Sequence, residues 1–285
     1  MKCRIEHIPS VSAVYYALLQ SGYEFYSVER PPELCRAIET HIVSEQVPSF
    51  FLNVRQSTCD VYPFWPRAFI LEAATFFLSD DLESFTDFDS FRSQVLSATN
   101  ISPEEISDAL WNWLIGFPAA IKAVVNSVGF QSYLKWESEW ISDQNKQYAG
   151  ALHRLNAILQ SCCEKYRPTC QNIRIVLNPI KCLYSSDYHF SGDSFIFTSG
   201  DLKMQSVIHE YLHTVVHPML AQMKTDRRQY PGIDASYYQS GNEQGYRNAF
   251  EEYAVRSLTD SILRQEWPSE LQAYLDHLTR NPKSE

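Results

Sequence analysis

The stretch His209-Glu210-Tyr211-Leu212-His213 sets two imidazoles and a carboxylate within five positions. On a helix, residues four apart share a face, so both imidazoles can reach one metal ion. Neutral imidazole nitrogens suit zinc, and a catalytic zinc site adds a third protein ligand and keeps one position open for water. Glu210 is turned about 100° from His209 around the helix. From there it can touch a water activated by the metal without binding the metal itself. The metal polarises a carbonyl and acidifies water, while the carboxylate carries the proton to the leaving amine. The motif therefore predicts a zinc-dependent hydrolase, most simply a peptidase. It would hold one Zn2+ per chain, with His209 and His213 as ligands, Glu210 as general base, and a peptide or protein as substrate.

The third ligand is not fixed by the motif. His217 continues the four-residue series, but it stands about 12 Å along the axis from His209, too far for one ion without unwinding. The glycine turn that would bring a third histidine back is absent, since Val216 and Met219 flank His217 and Pro218. His217 is expected instead as a helix-end histidine facing the C-terminal dipole. A later helix offers Glu251 and Glu252, adjacent acids about 100° apart, of which one is expected to face inward. The alternative is that both are solvated surface acids. Among the tyrosines near these motifs, Tyr237, Tyr238, Tyr246 and Tyr253, Tyr246 is favoured as oxyanion donor because it opens the Glu252 helix. Gly232 and Gly241-Asn242 suggest a mobile connection that would act as a lid.

The run from His209 to Pro218 resembles the active helix of a family of uncharacterised bacterial zincin-like proteins, in which the motif precedes a proline. Glu252-Tyr253-Ala254-Val255-Arg256 is similar to that family's second motif, an acid followed by an apolar pair and an arginine. The likeness spans roughly residues 170–265 and implies a gluzincin-type zincin metallopeptidase. It implies Glu252 as third ligand, with Arg256 one turn on, whereas a different gluzincin pattern, acid-x-x-alanine, would select Glu251 with Ala254.

These residues need elements to hold them. Up to about Tyr166 the pattern is helical, with helices expected over Ser12–Gln20, Glu33–Ser44, Arg67–Leu78, Phe88–Ala98, Pro103–Ile115, Ala119–Ser127 and, broken once, Tyr133–Lys165. Ser102-Pro103-Glu104-Glu105 reads as a helix start. Trp65-Pro66 and Phe117-Pro118 read as breaks. After Arg167-Pro168, Ile173–Leu177 and Ser194–Thr198 read as strands, the second a sheet edge for an extended peptide. Helices are expected from Asp201 to His217, then at Met219–Arg228, Tyr246–Gln265 and Ser269–Leu278. The fold class is α+β, mainly helical, with a helical region 1–166 and a small-sheet zincin-like catalytic domain 167–285.

Composition narrows the function classes. Aromatics make up 14% and hydrophobic residues 45% of 285 residues, enough for a substantial core. A net charge of −10 disfavours a nucleic-acid partner. Lys224, Arg227 and Arg228 form the one evident basic cluster, read as a solvated face. Seven cysteines without a C-x-x-C pair suit a reducing compartment. With neither signal-peptide pattern nor apolar span expected, the chain reads as cytoplasmic, with no membrane partner. Two other readings keep this framework: hydrolysis of a non-peptide amide, and a non-enzymatic interaction module on a zincin scaffold.

Overall fold

The computed structural model describes residues 4–20, 32–41, 50, 66–99, 101–168, 170, 172–181, 183, 186–220, 223 and 227–280. The fold is mainly helical α+β with one three-stranded sheet. It divides into two compact units. One comprises residues 4–149 and 173–202; the other comprises 1–3, 150–172 and 203–285. The expected boundary at residue 166 is therefore not where the compact units part. The strands after it fold with the N-terminal helices, and the helix before it folds with the C-terminal ones.

The first unit is built around α1 (Pro9–Gln20), whose side chains from Val11 to Leu18 are almost wholly buried. A helix apolar on all sides belongs in a core. The helices that follow are α2 (Pro32–His41), α3 (Pro66–Phe77), α4 (Phe88–Thr99), α5 (Asp108–Val125) and α6 (Val128–Gln147); α3, α5 and α6 pack against α1, α2 against α6 and α4 against α3. Phe77, Phe91, Trp113 and Phe117 form an aromatic cluster with ring centroids 4.9–6.3 Å apart. Strands β1 (Asn172–Leu177), β2 (Ser186–Ser191) and β3 (Ser194–Ser199) take the order β1-β3-β2. β2 and β3 are antiparallel around a tight turn at Gly192, whose φ of 57° suits a residue without a Cβ. Buried ionic groups are paired: Lys181 Nζ meets Asp187 at 3.1 Å, and the Tyr15 hydroxyl donates to that carboxylate at 2.7 Å.

Several expectations shift here. Pro118 does not end a helix: α5 runs through it, its buried face from Leu110 to Val125 offsetting the lost backbone bond. Ser102-Pro103-Glu104-Glu105 makes a single 3-10 turn. The α-helix starts later, with Ser107 Oγ accepting from the Leu110 amide. β2 was not expected, because Ser186–Ser191 contains no β-branched residue. The helix expected at Glu33–Ser44 is described as far as His41; of the one expected at Met219–Arg228, Met219 and Leu220 end the preceding helix, Arg227 and Arg228 are not helical, and Lys224 lies outside the described residues, as do Ser44, Cys3, Cys59 and Cys182.

The second unit holds α7 (Ala149–Tyr166) from Gly150 on, α8 (Met204–Leu220), α9 (Glu243–Leu263) and α10 (Leu271–Arg280). α8 packs against α9. α8 begins at Met204 rather than at Asp201, whose carboxylate accepts from Tyr148 Oη. It continues past Pro218, which removes one backbone bond, with Val215, Val216 and Leu220 buried around it. Among the described residues no single helix is long and apolar enough to cross a membrane.

Candidate metal centre

α8 carries an apolar side formed by Val207, Ile208, Tyr211, Leu212, Val215 and Val216, all buried. The Tyr211 hydroxyl donates to the Cys170 carbonyl at 2.9 Å and stands 3.1 Å from Cys163 Sγ. Anchoring this side presents His209, Glu210 and His213 on the partly exposed side of the same helix. One donor atom from each of the three lies within 4.8 Å of the other two. The imidazoles of His209 and His213 are nearly perpendicular, with centroids 5.1 Å apart.

α9 supplies the acids. Asn242 caps it, its Oδ1 accepting from the Gly245 amide at 2.8 Å. Glu252 Oε2 stands 3.5 Å from His209 Nε2 and 3.6 Å from His213 Nε2. These separations exceed an N–H···O hydrogen bond. They match the edge of a tetrahedral zinc site, whose ligand atoms about 2.0–2.2 Å from the ion stand about 3.3–3.5 Å apart. Two imidazoles and one carboxylate form a donor set that zinc accepts with an open fourth position. The residues present fit the ion.

Glu251 takes a different place. Its Oε1 is 2.8 Å from His213 Nδ1 and its Oε2 is 2.8 Å from His217 Nδ1. A carboxylate on the far nitrogen of a ligating histidine fixes the ring's tautomer and orientation. Both acids are thus drawn in, Glu251 being 8% exposed and the Glu252 side chain 12%. The expectation that only one would face inward does not hold. His217 lies in the last turn of α8, as expected of a helix-end histidine, and its ring also pairs with Glu251 while staying open to solvent.

Charge follows this geometry. Burial opposes charge on His213, but the carboxylates of Glu251 and Glu252 outweigh it and raise its pKa from 6.5 to about 9. His217 is raised by its bond to Glu251. Burial alone would raise Glu251 and Glu252, yet the facing histidines hold both below the usual carboxylate range, Glu252 far below. Arg256 Nε donates to Glu252 Oε1 at 2.6 Å, and its Nη1 donates to the Gly232 carbonyl at 2.7 Å.

The connection from α8 to α9 contains a 3-10 turn, Ala235–Tyr238. Tyr237 in that turn is within electrostatic reach of Glu252, Arg256, Glu210 and Glu251. Burial first, and these acids next, raise its pKa and keep the phenol protonated. Tyr246 instead packs its ring on Tyr238, centroids 5.4 Å apart. The sequence named both tyrosines among four, but no spacing rule distinguishes a residue on a turn from one on the helix after it.

No family model matches the chain, and no curated protein or solved structure matches it either.

Proposed function

We propose that this chain is a zinc-dependent hydrolase that cleaves peptide bonds, with His209, His213 and Glu252 as metal ligands and Glu210 as general base. The observation that carries this reading is one carboxylate oxygen of Glu252 standing 3.5 and 3.6 Å from two Nε2 atoms on one helix face, with the Glu210 carboxylate beside them. A zinc ion bound there supplies Lewis acidity, polarising a carbonyl and lowering the pKa of water to about 7. Glu210 takes the proton from the attacking water and hands it to the leaving nitrogen. Tyr237, kept protonated, donates a hydrogen bond to negative charge developing on the substrate oxygen; we assign it this role in place of Tyr246. Glu251 holds the His213 ring so that Nε2 faces Glu252.

The gluzincin-type zincin assignment belongs to this proposal and rests on the order of donors, His209 and His213 on one helix and Glu252 on a later one. So does placement in the cytoplasm, supported by seven irregularly spaced cysteines without a C-x-x-C pair.

A peptide-library digest tests the reading. The zinc-loaded chain should cleave peptides, and a chelator should abolish cleavage. Glu210→Gln should keep fold and zinc while losing about 10²–10⁴-fold in kcat, the range of a general base. Activity of that variant within about threefold of wild type, far less than general-base removal costs, would remove Glu210 from the mechanism. Zinc loading without cleavage of any peptide would favour a non-peptide amide as substrate.

A further inference from the structure

The Glu252–Arg256 pair is spaced four residues apart on α9, the spacing of an ordinary surface ion pair. Its surroundings set it apart. The Glu252 side chain is 12% exposed, and its two oxygens have separate duties. Oε2 faces the imidazoles, while Oε1 is held by Arg256 Nε at 2.6 Å. The same guanidinium reaches with Nη1 to the Gly232 carbonyl at 2.7 Å, 24 residues away in sequence. Gly232 has a φ of 70°, a left-handed conformation that turns its backbone at the cost of only a glycine. A planar guanidinium bonded along two directions cannot swing away from either partner, whereas a lysine ammonium is a point charge on a flexible stem.

From this geometry we infer that Arg256 is a positioning residue with two tasks. It keeps Oε1 of Glu252 engaged so that the carboxylate meets the metal through Oε2 alone, and it pins at Gly232 the connection that carries Tyr237. The inference rests on Glu252 being a ligand. It goes further in assigning the coordination mode of that ligand, and the order of the connecting segment, to one arginine.

The two tasks have separate consequences. A carboxylate released from Arg256 can turn and offer both oxygens, which changes the coordination number of the bound ion. A connection released at Gly232 retains the bond between the Tyr230 amide and Tyr238 Oη, 2.9 Å apart, and the packing of Tyr230 on Phe250 and Tyr253, but loses its hydrogen bond to the Arg256 guanidinium. Zinc is silent in the visible range, so Co2+ is the suitable probe: its visible bands are intense in four-coordinate sites and weaken as coordination number rises.

The experiment titrates the full-length chain, wild type, Arg256→Lys, Arg256→Gln and Glu252→Ala, with Co2+ and with Zn2+. The connection in the Zn2+-loaded proteins is then probed by limited proteolysis. Arg256 is half exposed, so both of its variants are expected to fold, and two of them guard against one that does not. For both arginine variants the Co2+ bands should lose intensity. Zn2+ affinity should fall about 10–100-fold, the range for residues that orient a ligand, and cleavage between residues 227 and 242 should accelerate. If Glu252→Ala abolishes the Co2+ bands while Arg256→Lys and Arg256→Gln keep the wild-type spectrum and cleavage rate, the positioning role is overturned and the ligand assignment stands. If Glu252→Ala leaves the Co2+ spectrum of wild type, the ligand assignment itself has failed, and the inference fails with it.

Discussion

Two adjacent glutamates divide the work of the site. Glu252 offers an oxygen to both Nε2 atoms, and Glu251 steadies His213 from behind through Nδ1. Glu252→Ala should therefore lose most of the zinc affinity, because two histidines alone hold zinc poorly. Glu251→Ala should lose about 10–100-fold at most. Zinc dissociation constants of the two variants, measured by competition with a chelator, decide between them. An empty site in Glu251→Ala alongside a filled one in Glu252→Ala would reverse the assignment.

The proton on His213 supplies a second prediction at this scale. Its pKa of about 9 in the metal-free protein means that ligation must displace a proton at neutral pH. Zinc affinity should climb as pH rises, up to about tenfold per unit for one displaced proton, and level off above about 9. Stability of the metal-free protein should run the other way. A group whose folded-state pKa is raised contributes fully below its unfolded value, here 6.5, and the contribution is lost as pH rises through about 9. Denaturant melts of the metal-free chain and zinc titrations over that window measure both. An affinity that is flat across it would contradict the account.

His209, Glu210 and His213 were legible as a set because helical period alone places them together. Glu251 was not legible as the partner of both His213 and His217, since which far acid meets which ring depends on how two helices pack.

At the scale of elements, α8 and α9 were legible from their apolar runs, while their ends were less so. Pro218 read as a stop and proved to be a last-turn residue; Pro118 read as a break and lies inside α5. Proline removes one backbone bond, and packing of a long apolar face outweighs that loss, which a local rule does not register. The glycines expected to make a mobile lid have more particular duties. Gly241, at φ 62°, turns the chain before the Asn242 cap. Gly245, which the sequence reading did not single out, lies in the first turn of α9 close to the 3-10 turn of Tyr237: a Cβ on it would stand 2.4 Å from the Tyr237 carbonyl oxygen. That contact is with backbone and cannot be relieved by a rotamer change. Gly245→Ala should cost about 1–3 kcal/mol of stability, as overpacking does, and should lower kcat by shifting Tyr237 while zinc content stays at wild-type level. Urea unfolding, zinc analysis and turnover of this variant form the test. Unchanged kcat would separate Tyr237 from the chemistry.

At the scale of the molecule, the α+β class was legible and the partition into units was not. The chain leaves the sheet-bearing unit after residue 149, returns at 173 and leaves again after 202. β1 is drawn back by pairings far away in sequence: Ile175 bridges Ile5 in parallel, and the Glu6 amide donates to the Ile175 carbonyl at 2.8 Å. Arg174 then bonds Glu6 at 2.9 Å and also the Asp80 carboxylate. No window of neighbouring residues contains such pairings. The proposed metal donors, by contrast, all fall within the second unit, on α8 and α9.

The central claim is that these donors hold one zinc ion, and metal analysis of the purified full-length chain tests it most directly. The chain should retain about one zinc after dialysis, as a three-ligand site does, and the His209→Ala/His213→Ala double variant should retain none while still folded by circular dichroism. Equal zinc in both proteins would contradict the account.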